Sequence, residues 1–414
     1  MLTTLFVIFL LASVLTQLWL ASRQIRHVSQ HRDVVPAEFS SRISLSSHQR
    51  AADYTVARMR LGMFERITDA VVLVALTLLG GLDEIQQLVG SITSHELLKQ
   101  VLLIVSVSVL LGLLSMPFTI YRQFSLEERF GFNRMTPGLF VSDMIKGVVV
   151  GALLGIPLVA AVLWLMAEAG QYWWIWAWGL WAAFNLLVLL IFPTWIAPLF
   201  NKFTPLDNAE LASRIQSLAS RCGFALNGLF VMDGSKRSAH GNAYFTGFGR
   251  SRRIVFFDTL LSRLNGDEIE AVLAHELGHF KHKHIIKRLV FSFGGALVFF
   301  ALLGWLSGQA WFYTDLGVTP QLGSRNDAMA LLLFFLVVPV FTFMLTPLFS
   351  WFSRRDEFEA DRFAATQSQA DKLVSALVKL VDDNAATLTP DPVHSAFYDS
   401  HPPAAIRIRH LQAA

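Results

Sequence analysis

AVLAHELGHFKHKH, residues 271–284, holds His275, Glu276 and His279 in the pattern H-E-x-x-H. On an α-helix, residues four apart share a face and lie about 6 Å apart along the axis. Two imidazoles so placed suit one zinc ion, each nitrogen at roughly 2.0–2.1 Å from it. Glu276, one residue on, reaches a water held by the metal and takes its proton, which is the chemistry of a zinc hydrolase. The stretch itself predicts the helix. Asn265 and Glu268 make an N-cap and capping-box pair, and Ile269, Val272, Leu273 and Leu277 supply the apolar stripe.

Catalytic zinc usually takes three protein ligands and keeps one position open. His282 continues the run but lies about 10 Å beyond His275 on a straight helix. With His284 it is expected in a solvated or headgroup-facing run among Lys281, Lys283, Lys287 and Arg288. A better third ligand comes from SRRDEFEADRFA, residues 353–364. Glu357 and Asp361 stand four apart on one helical face. Glu357 can ligate while Asp361 orients a ligating histidine from behind. The competing reading is a surface helix with Arg355, Glu359 and Arg362 in loose ion pairs.

H-E-L-G-H followed by E-F-E-A-D resembles the M48 metallopeptidases, and more narrowly the integral-membrane CaaX prenyl proteases of the Ste24 type. The resemblance extends to HGNAYFTGFGRSRRIVFFDTLL (240–261), FPTWIAPLFNKFTPL (192–206), EERFGFNRMTP (127–137) and SHPPAAIRI (400–408), in family order along most of the chain. It implies a helical barrel in the membrane, one zinc per chain and a peptide or lipidated protein as substrate. It also implies that 240–246 is the strand that pairs with substrate backbone, so that His240, Asn242, Ala243 and Tyr244 bind substrate, with Asn242 near the scissile bond. His240, Asn242 and Tyr244 share one side of an extended strand, and strand addition is a general way to hold a peptide. His401 and Arg407 are implied to lie near the zinc, suited to hydrogen-bond substrate and the tetrahedral oxyanion. Glu127, Glu128 and Arg129, before Phe130 to Asn133, are implied to pack on the catalytic domain.

The composition excludes an ordinary soluble protein. Mean hydropathy is +0.48 and hydrophobic residues make up 54% of the chain. The single cysteine, Cys222, excludes an intramolecular disulfide framework and a cysteine-rich metal site. Residues 1–20 read as a retained membrane helix, lacking the basic start and cleavage site of a signal peptide. Further apolar runs near 66–90, 99–121, 144–167, 173–197, 288–308 and 328–351 are each about the 20 residues that cross a bilayer. The expected fold is therefore mainly α and polytopic, with about seven transmembrane helices and a metallopeptidase domain containing a short β-sheet. The run 66–90 is the weakest, because Arg66 and Asp69 begin it and Gly80, Gly81, Asp83 and Glu84 close it. Pro193 and Pro198, with Pro339 and Pro347, are expected to kink or end spans five and seven.

Arginine sets the orientation. Arg23, Arg26, Arg32, Arg42, Arg50, Arg58 and Arg60 fall in segment 21–65, and Arg122, Arg129 and Arg134 in 122–143. The alternate loops are nearly bare. The expected topology puts the N-terminus outside, and the 198–287 insertion and C-terminal tail in the cytosol. The expected division is spans one to five (1–197), the metallopeptidase domain (198–287), spans six and seven (288–351) and a C-terminal catalytic segment (352–414). A transporter or scaffold would place ionisable residues in mid-span, and these spans have almost none. No phosphate-binding loop or nucleic-acid pattern is present, and the expected partners are substrate and the bilayer. Short loops and the arginine bias suit a bacterial inner membrane with the site facing the cytoplasm. In such a host, quality control of membrane proteins is the alternative to CaaX processing.

Overall fold

The computed structural model describes residues 1–246, 253–320 and 325–413. Residues 247–252, in the middle of the 240–261 stretch, lie outside the described residues. The long helices are α1 (Leu2–Gln30), α2 (Leu45–Leu76), α4 (Glu96–Tyr121), α5 (Pro137–Glu168), α6 (Trp173–Ile191), α11 (His284–Leu306), α13 (Asp327–Thr342) and α14 (Thr346–Gln367). Shorter helices join them: α3 (Gly81–Ile92), α7 (Ala197–Phe200) and α12 (Ala310–Thr314).

Six helical segments among the described residues are long and apolar enough to cross a membrane. The 66–90 run is not one of them. It is divided between the end of α2 and the start of α3, with Gly80 at φ +80° between them. The first half of α2 is polar, so the helix as a whole is not a continuous apolar span. It still traverses the molecule. Near its start, His48 Nε2 lies 2.8 Å from the His31 carbonyl, and Tyr54 donates to Glu127 at 2.6 Å. Beyond its end, a Cβ on Gly317 would meet the Thr77 carbonyl oxygen at 2.6 Å. The chain thus passes seven times between two ends, and only six of the passes are apolar enough to count as spans.

Those ends differ. The membrane-side core gathers Val101, Leu103 and Val107 of α4, Val162 and Leu163 of α5, Trp173 and Ala177 of α6, and Phe300, Leu303 and Leu306 of α11. All lie at the end of the helices away from residues 275–284. The remaining lengths of α5 and α6 bury nothing. The helices are thus packed at one end and little buried toward the other. Breaks accompany this difference. Pro193 sits in a π-helical turn at Phe192–Ile196, Pro339 lies inside α13, and Pro347 stands in the first turn of α14.

The second core belongs to the extramembrane domain. It combines α8 (Ala209–Arg221), α9 (Asp258–Leu261), α10 (Gly266–Lys281), α15 (Ala370–Asp383) and α17 (Ala404–Gln412) with a four-stranded sheet. The strands are β1 (Phe203–Pro205), β2 (Gly228–Met232), β3 (Ala243–Thr246) and β4 (Arg253–Phe257), in the order β1-β2-β4-β3. β2 and β4 are parallel, whereas β1 and β3 pair antiparallel to them. Phe39 and Ile43, from the turn between α1 and α2, complete this core. α16 (Pro392–Tyr398) rests on α1, where Arg23 pairs with Asp391 at 2.9 Å. α14 runs unbroken across residues 351–352, so one rigid helix carries a membrane pass directly into the extramembrane domain.

Candidate metal centre

The start of α10 is fixed by the capping box legible in its sequence. Asn265 Oδ1 accepts from the Glu268 amide at 3.0 Å, and Glu268 accepts from the Asn265 amide at 2.9 Å. Three turns on, His275 and His279 bring their Nε2 atoms to 3.3 Å. Gly278 lies between them on the face toward α14. A Cβ there would meet Ala360 Cα at 2.9 Å and its carbonyl oxygen at 3.1 Å. Glycine therefore permits the backbone approach that brings Glu357 of α14 onto the two histidines.

Glu357 is 2% exposed. Its Oε2 lies 3.4 Å from His275 Nε2, and its Oε1 lies 3.3 Å from both His279 Nε2 and His401 Nε2. Ligand atoms of His275, His279 and Glu357 all fall within 4.8 Å of one another. Buried Oε2 has no hydrogen-bond partner among the described residues, although an isolated buried carboxylate oxygen is costly. Two imidazole nitrogens and a carboxylate oxygen, converging with one oxygen left unsatisfied, fit a divalent cation of the nitrogen- and oxygen-loving kind.

Behind the cluster, Asp361 is fully buried and lies 2.9 Å from His275 Nδ1. Arg407 closes the other side of Asp361 with a fork, Nε at 2.9 Å and Nη2 at 2.5 Å. Burial acts to lower the His275 pKa, but the adjacent carboxylates of Asp361 and Glu357 outweigh it and the net shift is upward.

Arg407 lies beside the ligands, as the resemblance implies, and its fork is spent on Asp361. Its guanidinium is 7% exposed and bound to Asp361, with Nη1 3.7 Å from Glu357. Asp361 is a stronger partner for a buried cation than an open cleft. His401 does stand open, with 63% of its side chain exposed. Glu276 is half-buried and has no hydrogen bond or ion pair among the described residues.

β3 is an edge strand. Asn242, just before it, is exposed and caps its own turn by accepting from the Ala243 amide at 2.8 Å. Ala243 lies opposite Phe256, and the Tyr244 ring turns back onto Phe257. His240 is placed otherwise than expected. It stacks on Phe132 at 4.4 Å and 18°, lies 3.0 Å from Asn384 Oδ1 and faces Glu127 at 3.6 Å. It anchors the approach to β3 and does not line its free edge. The 127–133 loop does pack on this domain, pairing Asn133 with Ser238 and accepting the Ala239 amide at the Phe132 carbonyl.

His284 is the residue that sequence reasoning misplaced. It is 1% exposed, with its Nδ1 3.0 Å from His279 Nδ1 and its Nε2 2.8 Å from Glu359. His282 lies at the rim of the same group, 3.5 Å from Glu359.

A family model described as peptidase family M48 matches residues 205–414. Another, described as the CAAX prenyl protease N-terminal region with five membrane helices, matches residues 24–202. The chain belongs to peptidase family M48. Among its M48 relatives are a CAAX prenyl protease 1 homolog of Arabidopsis thaliana, 40% identical over 71% of this chain and 69% of that protein, and one of Homo sapiens, 30% identical over 97% and 94%. The crystal structure of S. mikatae Ste24p superposes with a TM-score of 0.91 at 29% identity, covering 99% of this chain and 98% of that one. This is an M48 metallopeptidase of the polytopic membrane type, and the family implies a metal.

Proposed function

We propose that this M48 chain is a zinc endopeptidase that cuts CaaX-type prenylated proteins where its barrel meets the cytosol. The observation that carries the reading is the convergence of His275, His279 and Glu357, with one buried oxygen of Glu357 unsatisfied. These three residues would hold the ion, and Asp361 would fix His275 with its Nε2 directed inward. When bound, zinc acidifies a water and polarises a carbonyl. Glu276, half-buried and without a hydrogen bond among the described residues, takes the proton from the attacking water and returns it to the departing amine. His401, exposed and close to Glu357, donates to the oxygen that gains charge in the tetrahedral transition state. Arg407 acts as a positioning residue, holding Asp361 against His275.

An extended peptide adds to the free edge of β3 through backbone hydrogen bonds, past Asn242, Ala243 and Tyr244. The names of the relatives support CaaX-type prenylated proteins as the substrate class. The arginine bias of the 21–65 and 122–143 segments supports a cytosolic site. Short loops support a bacterial inner membrane as the location; the relatives' names do not favour quality control of membrane proteins as the role. Protein reconstituted in liposomes with zinc is offered a farnesylated CaaX peptide, its unprenylated twin and an unrelated membrane peptide, and the products are read by mass spectrometry. Selective cutting of the farnesylated peptide is expected. Equal cutting of all three would move the assignment to quality control.

A further inference from the structure

His284 stands apart from its neighbours. Lys281, Lys283, Ile285, Ile286, Lys287 and Arg288 are exposed, whereas His284 is buried to 1%. The backbone is bent to put it there. Lys283 adopts φ +57° and ψ +31°, a left-handed conformation uncommon for residues other than glycine. Had α10 continued, residue 284 would lie about 140° around the axis from His279. The break at Lys283 instead turns the first residue of α11 back onto the ring of His279. Local strain of this kind persists only where surrounding contacts hold it.

The contact between the two rings joins Nδ1 to Nδ1 at 3.0 Å. One of these nitrogens must carry a proton and the other must not. His279 turns Nε2 toward His275 and Glu357, at 3.3 Å from each. A neutral imidazole that ligates through Nε2 holds its proton on Nδ1. His284 then accepts at Nδ1 and carries its own proton on Nε2, which donates to Glu359 Oε2 at 2.8 Å. Asp356 Oδ1 lies 3.6 Å from the same nitrogen. We propose that His284 is a positioning residue for His279, the middle member of a His279–His284–Glu359 relay that fixes the tautomer and ring orientation of this ligand. α14 would then serve both histidines. Glu357 meets the pair, Asp361 backs His275, and Glu359 backs His279 through His284. The inference rests on the metal reading above.

By distance, His284, Asp356 and Glu359 could also hold a cation of their own. Against that, Glu359 already receives His284, and Arg288 Nε lies 3.6 Å from Asp356. The test therefore counts zinc as well as weighing its hold. Full-length wild type, His284→Phe and Glu359→Leu are loaded with zinc. Stoichiometry, the rate of zinc loss to a chelator and the melting temperature of the metal-stripped protein are then measured. Outer partners of ligating histidines are worth about 10–100-fold in metal affinity. The expected result is one zinc in the wild type and loss accelerated by about that factor in His284→Phe, with a smaller acceleration in Glu359→Leu. Glu359→Gln, which can still accept, should restore the wild-type rate.

A purely structural histidine would lower the stripped protein's melting temperature without changing zinc loss, and that result overturns the relay. Two zinc ions in the wild type, falling to one in His284→Phe, overturn it in favour of a second cation. If His284→Phe does not fold, the Glu359 pair decides alone. Equal zinc loss in Glu359→Leu and Glu359→Gln then counts against the relay. Wild type that binds no zinc would instead defeat the metal reading beneath it.

Discussion

At the scale of single residues, the site depends on one absent side chain as much as on those present. Gly278 allows α10 to lie against Ala360, and that approach sets the distance from Glu357 to both histidines. Gly278→Val should push the helices apart, at about 1–3 kcal/mol for overpacking. Thermal melting should fall, and zinc should be lost with it because the ligands sit on both helices. Retained zinc with unchanged melting would show that the crossing has room to spare. Much of this site was legible in sequence. The H-E-x-x-H spacing and the i, i+4 pair Glu357–Asp361 are periodic signals, and the structure brings those side chains together. The burial of His284 and the pairing of Arg407 with Asp361 were not legible, for a shared reason. Their roles come from contacts with α14 far along the chain, whereas the local composition around His284 is cationic and speaks of solvent. A left-handed lysine at 283 leaves no mark a sequence reader could use, as a glycine would.

At the scale of elements, α10 is held at its start by a buried carboxylate. Glu268 is 2% exposed. Burial acts to raise its pKa, but Lys379 at 2.7 Å, the Asn265 amide and Ser375 outweigh that effect, and the net shift is downward. A depressed carboxylate stabilises the fold above its unfolded pKa, roughly 4.3, and that contribution is lost as pH falls through the folded value. Glu268→Gln should destabilise by about 1–3 kcal/mol near neutral pH, and the gap to wild type should narrow under acid. A gap that stays constant from neutral to acidic pH would remove the ionised form from the explanation. The capping box itself was readable from Asn265 and Glu268. The continuity of α14 was not, because the apolar run ends near Phe352 while nothing in the following residues stops the helix. A boundary drawn by composition at 351–352 thus divides one rigid rod.

At the scale of the whole molecule, seven passes join a packed end to an open one, and the site sits at the open end. The sequence count of spans and the chain path agree on seven, but the second pass lacks a continuous apolar run because α2 begins polar and Gly80 breaks it. Cys222 is the only cysteine, so single labels are easily placed once it is replaced by serine. Thr314→Cys, at the exposed end of α12, should react with a membrane-impermeant thiol reagent in intact cells. Lys236→Cys, in the site-bearing domain, should react only after permeabilisation. The same exposure for both would contradict the orientation drawn from arginine. The central claim is that this membrane fold is built to let Glu276 take a proton beside a zinc held by His275, His279 and Glu357. The measurement that tests it most directly is peptide cleavage and zinc content in Glu276→Gln. Zinc should stay near one per chain while cleavage falls by at least about 10²–10⁴-fold. Cleavage within a few fold of wild type, or zinc disappearing together with activity, would contradict the account.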